Sequence, residues 1–206
     1  MSLSAFPADP NQALIVDASV VIGLNASGYA RRIIALTQPR IIVPDNAYYE
    51  LAIGSRFGHN DGEKLDELVV AGLVERMTLE GTALSIYESL IDSTYGDTLD
   101  DGEAATIAIA VQRGGIAVLD ERKARRMCRQ HFPNVAQGCT AQLLLGATAL
   151  GGAAHAEAMI NALCKGRMRV PPEFLDAVVA LIGLEVAAEC PSLPRYVRQA
   201  TVRPAQ

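Results

Sequence analysis

The stretch Ala13-Leu-Ile-Val-Asp17-Ala-Ser-Val-Val-Ile22 decides how the chain is read. A short apolar run ends in an acid, and a second apolar stretch follows at once, which suits a buried strand running into a helix. Strands of a parallel sheet covered on both faces have this continuous apolar character. Arg40-Ile-Ile-Val-Pro44 repeats the pattern, and Pro44-Asp45 then opens a helix through about Gly54 that contains Glu50.

Working outward, Glu63 to Ala71 has helical periodicity, and Leu73-Val-Glu-Arg-Met77 reads as an edge strand because polar residues interrupt it. Ala83 to Ile91 is helical. Thr98-Leu-Asp-Asp-Gly-Glu103 introduces an Ala-rich helix, Ala104 to Gln112, that Gly114-Gly115 stops. Ile116-Ala-Val-Leu119 is another apolar run ending at an acid, Asp120. A charged helix over 121–130, a short strand over 135–138 and an apolar helix over 140–149 follow. This alternation predicts an α/β fold with a mostly parallel sheet. Two further helices, 153–165 and 172–189, precede a tail containing Pro and Arg, so residues 151–206 read as a helical extension packed on a 13–150 domain.

The chain has 206 residues, 50% hydrophobic and 20% charged, which excludes large-scale disorder and leaves only the ends loose. No apolar run is long enough to cross a membrane, and the first residues lack a basic segment and an apolar signal core, so a cytoplasmic protein is expected. Cys128, Cys139, Cys164 and Cys190 are widely spaced without a CxxC pair, and His59, His131 and His155 show no HExxH spacing, so the reading is reduced thiols and no zinc site. A net charge of -5 argues against a nucleic-acid partner until its distribution is seen. Residues 1–112 carry 6 Lys/Arg against 16 Asp/Glu, whereas residues 113–206 carry 12 against 7.

In an open parallel sheet, ligands bind beyond the carboxyl ends of the strands where strand order reverses. Asp17 and Asp120 each end an apolar strand. As neighbours in the sheet they would face one crevice, with Glu103 at the start of the preceding helix beside them. Acids gathered this way repel one another unless a cation joins them. Oxygen donors suit Mg²⁺ or Mn²⁺, ions that activate water and stabilise charge on a phosphodiester.

Four segments together resemble the successive acidic motifs of PIN-domain proteins. They are Ile15-Val-Asp17-Ala-Ser-Val-Val-Ile22, Val43-Pro-Asp-Asn-Ala-Tyr-Tyr-Glu50, Asp101-Gly-Glu103-Ala-Ala-Thr-Ile-Ala-Ile-Ala110 and Val118-Leu-Asp120-Glu-Arg-Lys-Ala-Arg125. The resemblance covers about residues 13–150. It implies a three-layer α/β/α sandwich with a five-stranded sheet, a Mg²⁺ or Mn²⁺ site and metal-dependent cleavage of RNA. It also implies a homodimer, and the toxin role of a VapC-type toxin–antitoxin pair with a cognate antitoxin as partner. Carried over by position, Asp17, Glu50, Glu103 and Asp120 are the catalytic acids, with Asp17, Asp120 and Glu103 on the metal. Ser19 stands where a small hydroxyl residue supports the first acid. Gly102-Glu103 departs from the Asp more usual in toxins, and Asn134 and Gln137-Gly-Cys-Thr140 fill the place of a final acid that would serve a second ion.

Other readings of the same residues stay open. Asp17 and Asp120 suit helix N-caps. Asp100-x-x-Glu103 imitates a capping box, with Asp101 as a substitute ligand. The neighbours Tyr48, Tyr49, Leu51 and Ile53 favour a buried Glu50. The run Arg122-Lys-Ala-Arg-Arg-Met-Cys-Arg129 suits a solvated face or, through Arg122 and Lys123, a surface that orients a phosphate strand. The competing functions are a non-catalytic PIN-like module that binds RNA or protein, and a phosphatase resembling the haloacid dehalogenases. The latter needs an acid where Ser19 stands. Signatures of serine hydrolases, P-loop enzymes and dinucleotide binders are absent.

Overall fold

A computed structural model describes residues 12–37, 40–54 and 58–199. The loose ends expected at either terminus fall largely outside these residues. Five short strands form the sheet: β1 (Leu14–Val16), β2 (Ile41–Pro44), β3 (Val74–Met77), β4 (Ile116–Val118) and β5 (Ala136–Gly138). Their order is β3-β2-β1-β4-β5, and every pairing is parallel. The expected five strands are all present, and the mostly parallel sheet is wholly parallel. β1 lies at the centre, with Leu14 opposite Ile41 on one side and Ile116 on the other.

Side chains alternate across the sheet. Leu14, Val16, Ile41, Val43, Ile116 and Val118 join one apolar core, while Ile15, Ile42, Ala117 and Leu119 join the other. The first core is closed by α1 (Ala18–Ala26), α2 (Ala30–Leu36), α3 (Asp45–Gly54), α4 (Asp61–Val70), α8 (Thr140–Gly146), α9 (Gly152–Cys164) and α10 (Leu175–Ile182). The second is closed by α5 (Thr82–Ile91), α6 (Asp101–Arg113) and α7 (Arg122–His131). This is the three-layer α/β/α sandwich. Burial of both faces explains why β1, β2 and β4 read as unbroken apolar runs, and why the edge strand β3 carries Glu75 and Arg76.

Two expected helices are broken by the backbone. The 172–189 segment divides into a 3-10 turn (Pro172–Phe174), α10 and α11 (Leu184–Glu189), because Gly183 takes φ +83° and ends the first helix. The 140–149 segment ends as α8 at Gly146 and continues as a 3-10 turn, Thr148–Leu150. Part of the expected tail is helical, as α12 (Arg195–Gln199). The cysteines are all free thiols, with Cys164 exposed and the other three buried. No helix among the described residues is long and apolar enough to cross a membrane.

Candidate active site

β1 runs one way through β2 to β3, and the chain then crosses back to place β4 on the other side of β1. The reversal point is therefore the β1–β4 seam, and its carboxyl end is where a crevice forms. Asp17 follows β1 directly, and Asp120 lies two residues beyond β4. Both are buried to 7% exposure, as is Glu103 in the first turn of α6.

Each oxygen of Asp17 has a separate role. Its Oδ2 accepts from the Ser19 hydroxyl at 2.9 Å and the Ser19 N–H at 3.4 Å, capping α1. Its Oδ1 faces Gly102, where an added methyl group would lie only 2.5 Å away. The same methyl would lie 3.2 Å from Glu50 Oε2, so Gly102 is the floor on which the two carboxylates meet. Capping and ligand readings of Asp17 are therefore compatible. The Gly of the Gly-Glu motif is explained as well, since any larger residue would intrude between the acids.

Asp120 does not cap its own helix, where Glu121 is the cap residue. It instead receives the Thr140 N–H on Oδ1 at 2.8 Å and the Thr140 hydroxyl on Oδ2 at 2.7 Å, joining the end of β4 to the start of α8. Each oxygen keeps a further lone pair. The expected capping box at α6 is half formed: Glu103 accepts from the Asp100 backbone N–H, whereas Asp100 makes no side-chain cap bond. Asp101 is exposed and accepts from Tyr87 at 3.1 Å, whereas Glu103 is buried. The expectation of a buried Glu50 gives way: Glu50 stands exposed at the crevice rim, with its Oε2 and the Ala47 Cβ both turned toward Gly102, while Ala47 and Leu51 are buried. α3 is held in place by Asp45, whose carboxylate receives Arg76 at 2.7 Å and Thr78 at 2.6 Å.

The electrostatics of the four acids agree in sign. Burial, opposed by the Ser19 hydrogen bonds, holds Asp17 above the usual carboxylate range. Partial desolvation, then the charges of Asp17, Asp100 and Asp101, raise Glu50. Burial followed by the charges of Asp17, Asp100 and Glu121 pushes Glu103 up to about 7. Burial lifts Asp120 to about 6 despite its Thr140 bonds. Among the described residues the cation that eases Asp120 is Arg125, and its guanidinium is already bonded to Leu119 O, Gly138 O and Glu173.

Such a set of oxygen donors, short of positive charge, fits a hard divalent ion in chemistry. Thr106, one turn beyond Glu103, adds a buried hydroxyl with no partner among the described residues. As placed, no three His, Cys, Asp or Glu side chains among the described residues close into a metal-binding group. Of the expected strand-orienting cations, Lys123 sits 3.3 Å from Asp97, and Arg122 is exposed without an ion pair among the described residues. Sequence reasoning missed three contributors: Asp100, whose charge reaches three of the acids, Gly102 and Thr140. The DDGE run pointed toward the first two, whereas the bond from Thr140 depends on strand pairing that no local pattern reveals.

The fold and site together define a parallel α/β/α sandwich with acids at its reversal point. A family model described as a PIN domain matches residues 13–184. The chain therefore belongs to the PIN-domain family, whose members are generally nucleases and typically use divalent metals. No curated protein matches the chain closely enough to name as a relative.

Proposed function

We propose that this protein is a metal-dependent ribonuclease. The observation that supports it best is the gathering of Asp17, Glu50, Glu103 and Asp120 about one crevice, where burial and then the charge of Asp17 raise each of the other three above its ordinary pKa. Asp17, Glu103 and Asp120 would hold a Mg²⁺ or Mn²⁺ ion, with Glu50 completing the site from the rim. The ion supplies Lewis-acid stabilisation of the phosphodiester and an activated water.

The chain's own groups prepare that chemistry. Ser19 fixes one oxygen of Asp17 and leaves the other toward the crevice. Thr140 orients Asp120 through both oxygens. Glu103, near neutrality, exchanges a proton readily, and that proton leaves when positive charge enters the site. The reading extends to a toxin half of a toxin–antitoxin pair, acting as a homodimer and silenced by an antitoxin. Support for that extension is the motif resemblance.

A non-catalytic PIN-like module draws on one observation, that Thr140 already satisfies both oxygens of Asp120. Cleavage of a labelled RNA in Mn²⁺ decides between the two. We expect turnover by the wild type that is lost in EDTA and in Asp17→Asn. Tight RNA binding without turnover in Mn²⁺ would sink the nuclease reading.

A further inference from the structure

We propose that Lys64, Lys165 and Arg167 grip the sugar-phosphate backbone of single-stranded RNA in a groove that ends at Glu50. The proposal rests on the ribonuclease reading and assigns the C-terminal extension a part in substrate binding. A groove of about 890 Å³ runs between α1, α3, the start of α4 and the loop after α9. Glu50 is part of its lining, so it is continuous with the acidic crevice.

Lys64, Lys165 and Arg167 also line it, and none of them forms an ion pair among the described residues. The same lining holds two acids, Glu50 and Asp61, so the groove carries a local excess of positive charge in a chain of net charge -5, and a phosphate backbone is the ligand that such an excess attracts. His59 and Ile22 offer ring and apolar surface to bases turned out of a stack. Single-stranded RNA, whose bases can turn out of a stack, suits a groove that offers both cations and ring surface.

The loop carrying two of the cations is built into place. Lys165 N and Gly166 N both donate to Asn161 O, at 2.8 and 3.3 Å, and the Asn161 amide donates to Ser27 O beyond α1 at 3.3 Å. Gly166 lies so close to α1 that a methyl group there would be 2.9 Å from Ala26 Cβ and 2.8 Å from Ala162 O. Arg167 takes φ +50°, a conformation that L side chains seldom adopt, while the next residue, Met168, is buried. Arg169 then pairs with Glu121, the neighbour of Asp120. The segment is thus fastened to α1 at one end and beside the acidic cluster at the other, with Arg167 between.

The test is fluorescence anisotropy of a labelled single-stranded RNA in EDTA, with wild type, Lys165→Ala/Arg167→Ala and the charge-keeping Lys165→Arg. Steady-state cleavage in Mn²⁺ runs in parallel. Losing two phosphate contacts flattens the salt slope by about 1.4, so between 50 and 200 mM salt the wild type sheds about sevenfold more affinity than the double variant. Lys165→Arg keeps the wild-type slope, and in Mn²⁺ the double variant raises KM and leaves kcat unchanged. An unchanged slope and KM in the double variant, or tighter binding of duplex than of single strand, would overturn the proposal. Failure of the ribonuclease reading shows separately, as wild type that never cleaves, while the EDTA titration still reports on the groove.

Discussion

Replacing Asp120 by Asn isolates what the acidic crevice costs the fold. Asp120 has its pKa raised from 3.8 to about 6 by burial, so across that interval the native state binds more protons than the unfolded chain. Stability therefore falls as pH rises through the window, and the full penalty is present above it. That rise corresponds to about 3 kcal/mol held against the ionised fold. Asn removes the charge and keeps the bonding pattern, since its carbonyl accepts the Thr140 N–H and its amide donates to the Thr140 hydroxyl. The expected outcome in EDTA at about pH 8 is a variant more stable by up to ~3 kcal/mol, or about 6 to 12 °C in melting temperature. The gain shrinks toward zero as the pH is brought below about 4. Thermal melts of both proteins from about pH 4 to 8 measure it, and added Mn²⁺ should then stabilise the wild type more than the variant. A variant less stable at about pH 8, or a gain that does not change with pH, would refute the account.

Gly102→Ala places a methyl 2.5 Å from Asp17 Oδ1, so RNA cleavage should fall about a hundredfold, while overpacking costs the fold about 1 to 3 kcal/mol; activity and urea midpoint report the two separately. Glu103 and Asp120 carry protons up to about 7 and about 6, so Mn²⁺ affinity should climb with pH through that range, with proton release detected by calorimetry in buffers of different ionisation heat. An affinity that is flat from about pH 5 to 8 would contradict it. Arg125→Met keeps the buried stem but strands Leu119 O, Gly138 O still accepting from Leu119 N–H, and urea unfolding should show a loss of about 1 to 3 kcal/mol.

Legibility in the sequence followed the range of the interactions. β1, β2 and β4 announced themselves because both their faces are covered, and Asp17 and Asp120 because an acid ending an apolar strand is a local pattern. The exposure of Glu50 was misjudged, since aromatic neighbours along a helix do not say how open the mouth of a crevice is. Its apolar neighbour Leu51 is buried, whereas Glu50 is exposed even though its carboxylate reaches toward Gly102. The two roles of Asp17 looked like rival readings because the sequence does not show that its oxygens point to different partners. Gly183 carried its own warning, but apolar periodicity on both sides concealed the break. The groove was beyond reach, because Lys165 and Arg167 meet Glu50 only through the packing of α9 on α1.

The central pairing has a consequence for how activity arises during synthesis. Residue 14 has its strand partners at 41 and 116, so the seam beneath the acids closes only after a long stretch of chain has been made. Contacts so distant in sequence form late, after the entropy of a large loop has been overcome. A chain released early carries Asp17 and Glu50 but lacks the strand that brings Asp120 to them. Fragments that end before β4 therefore have no assembled crevice, and the four acids can meet only once the chain through Asp120 has left the ribosome.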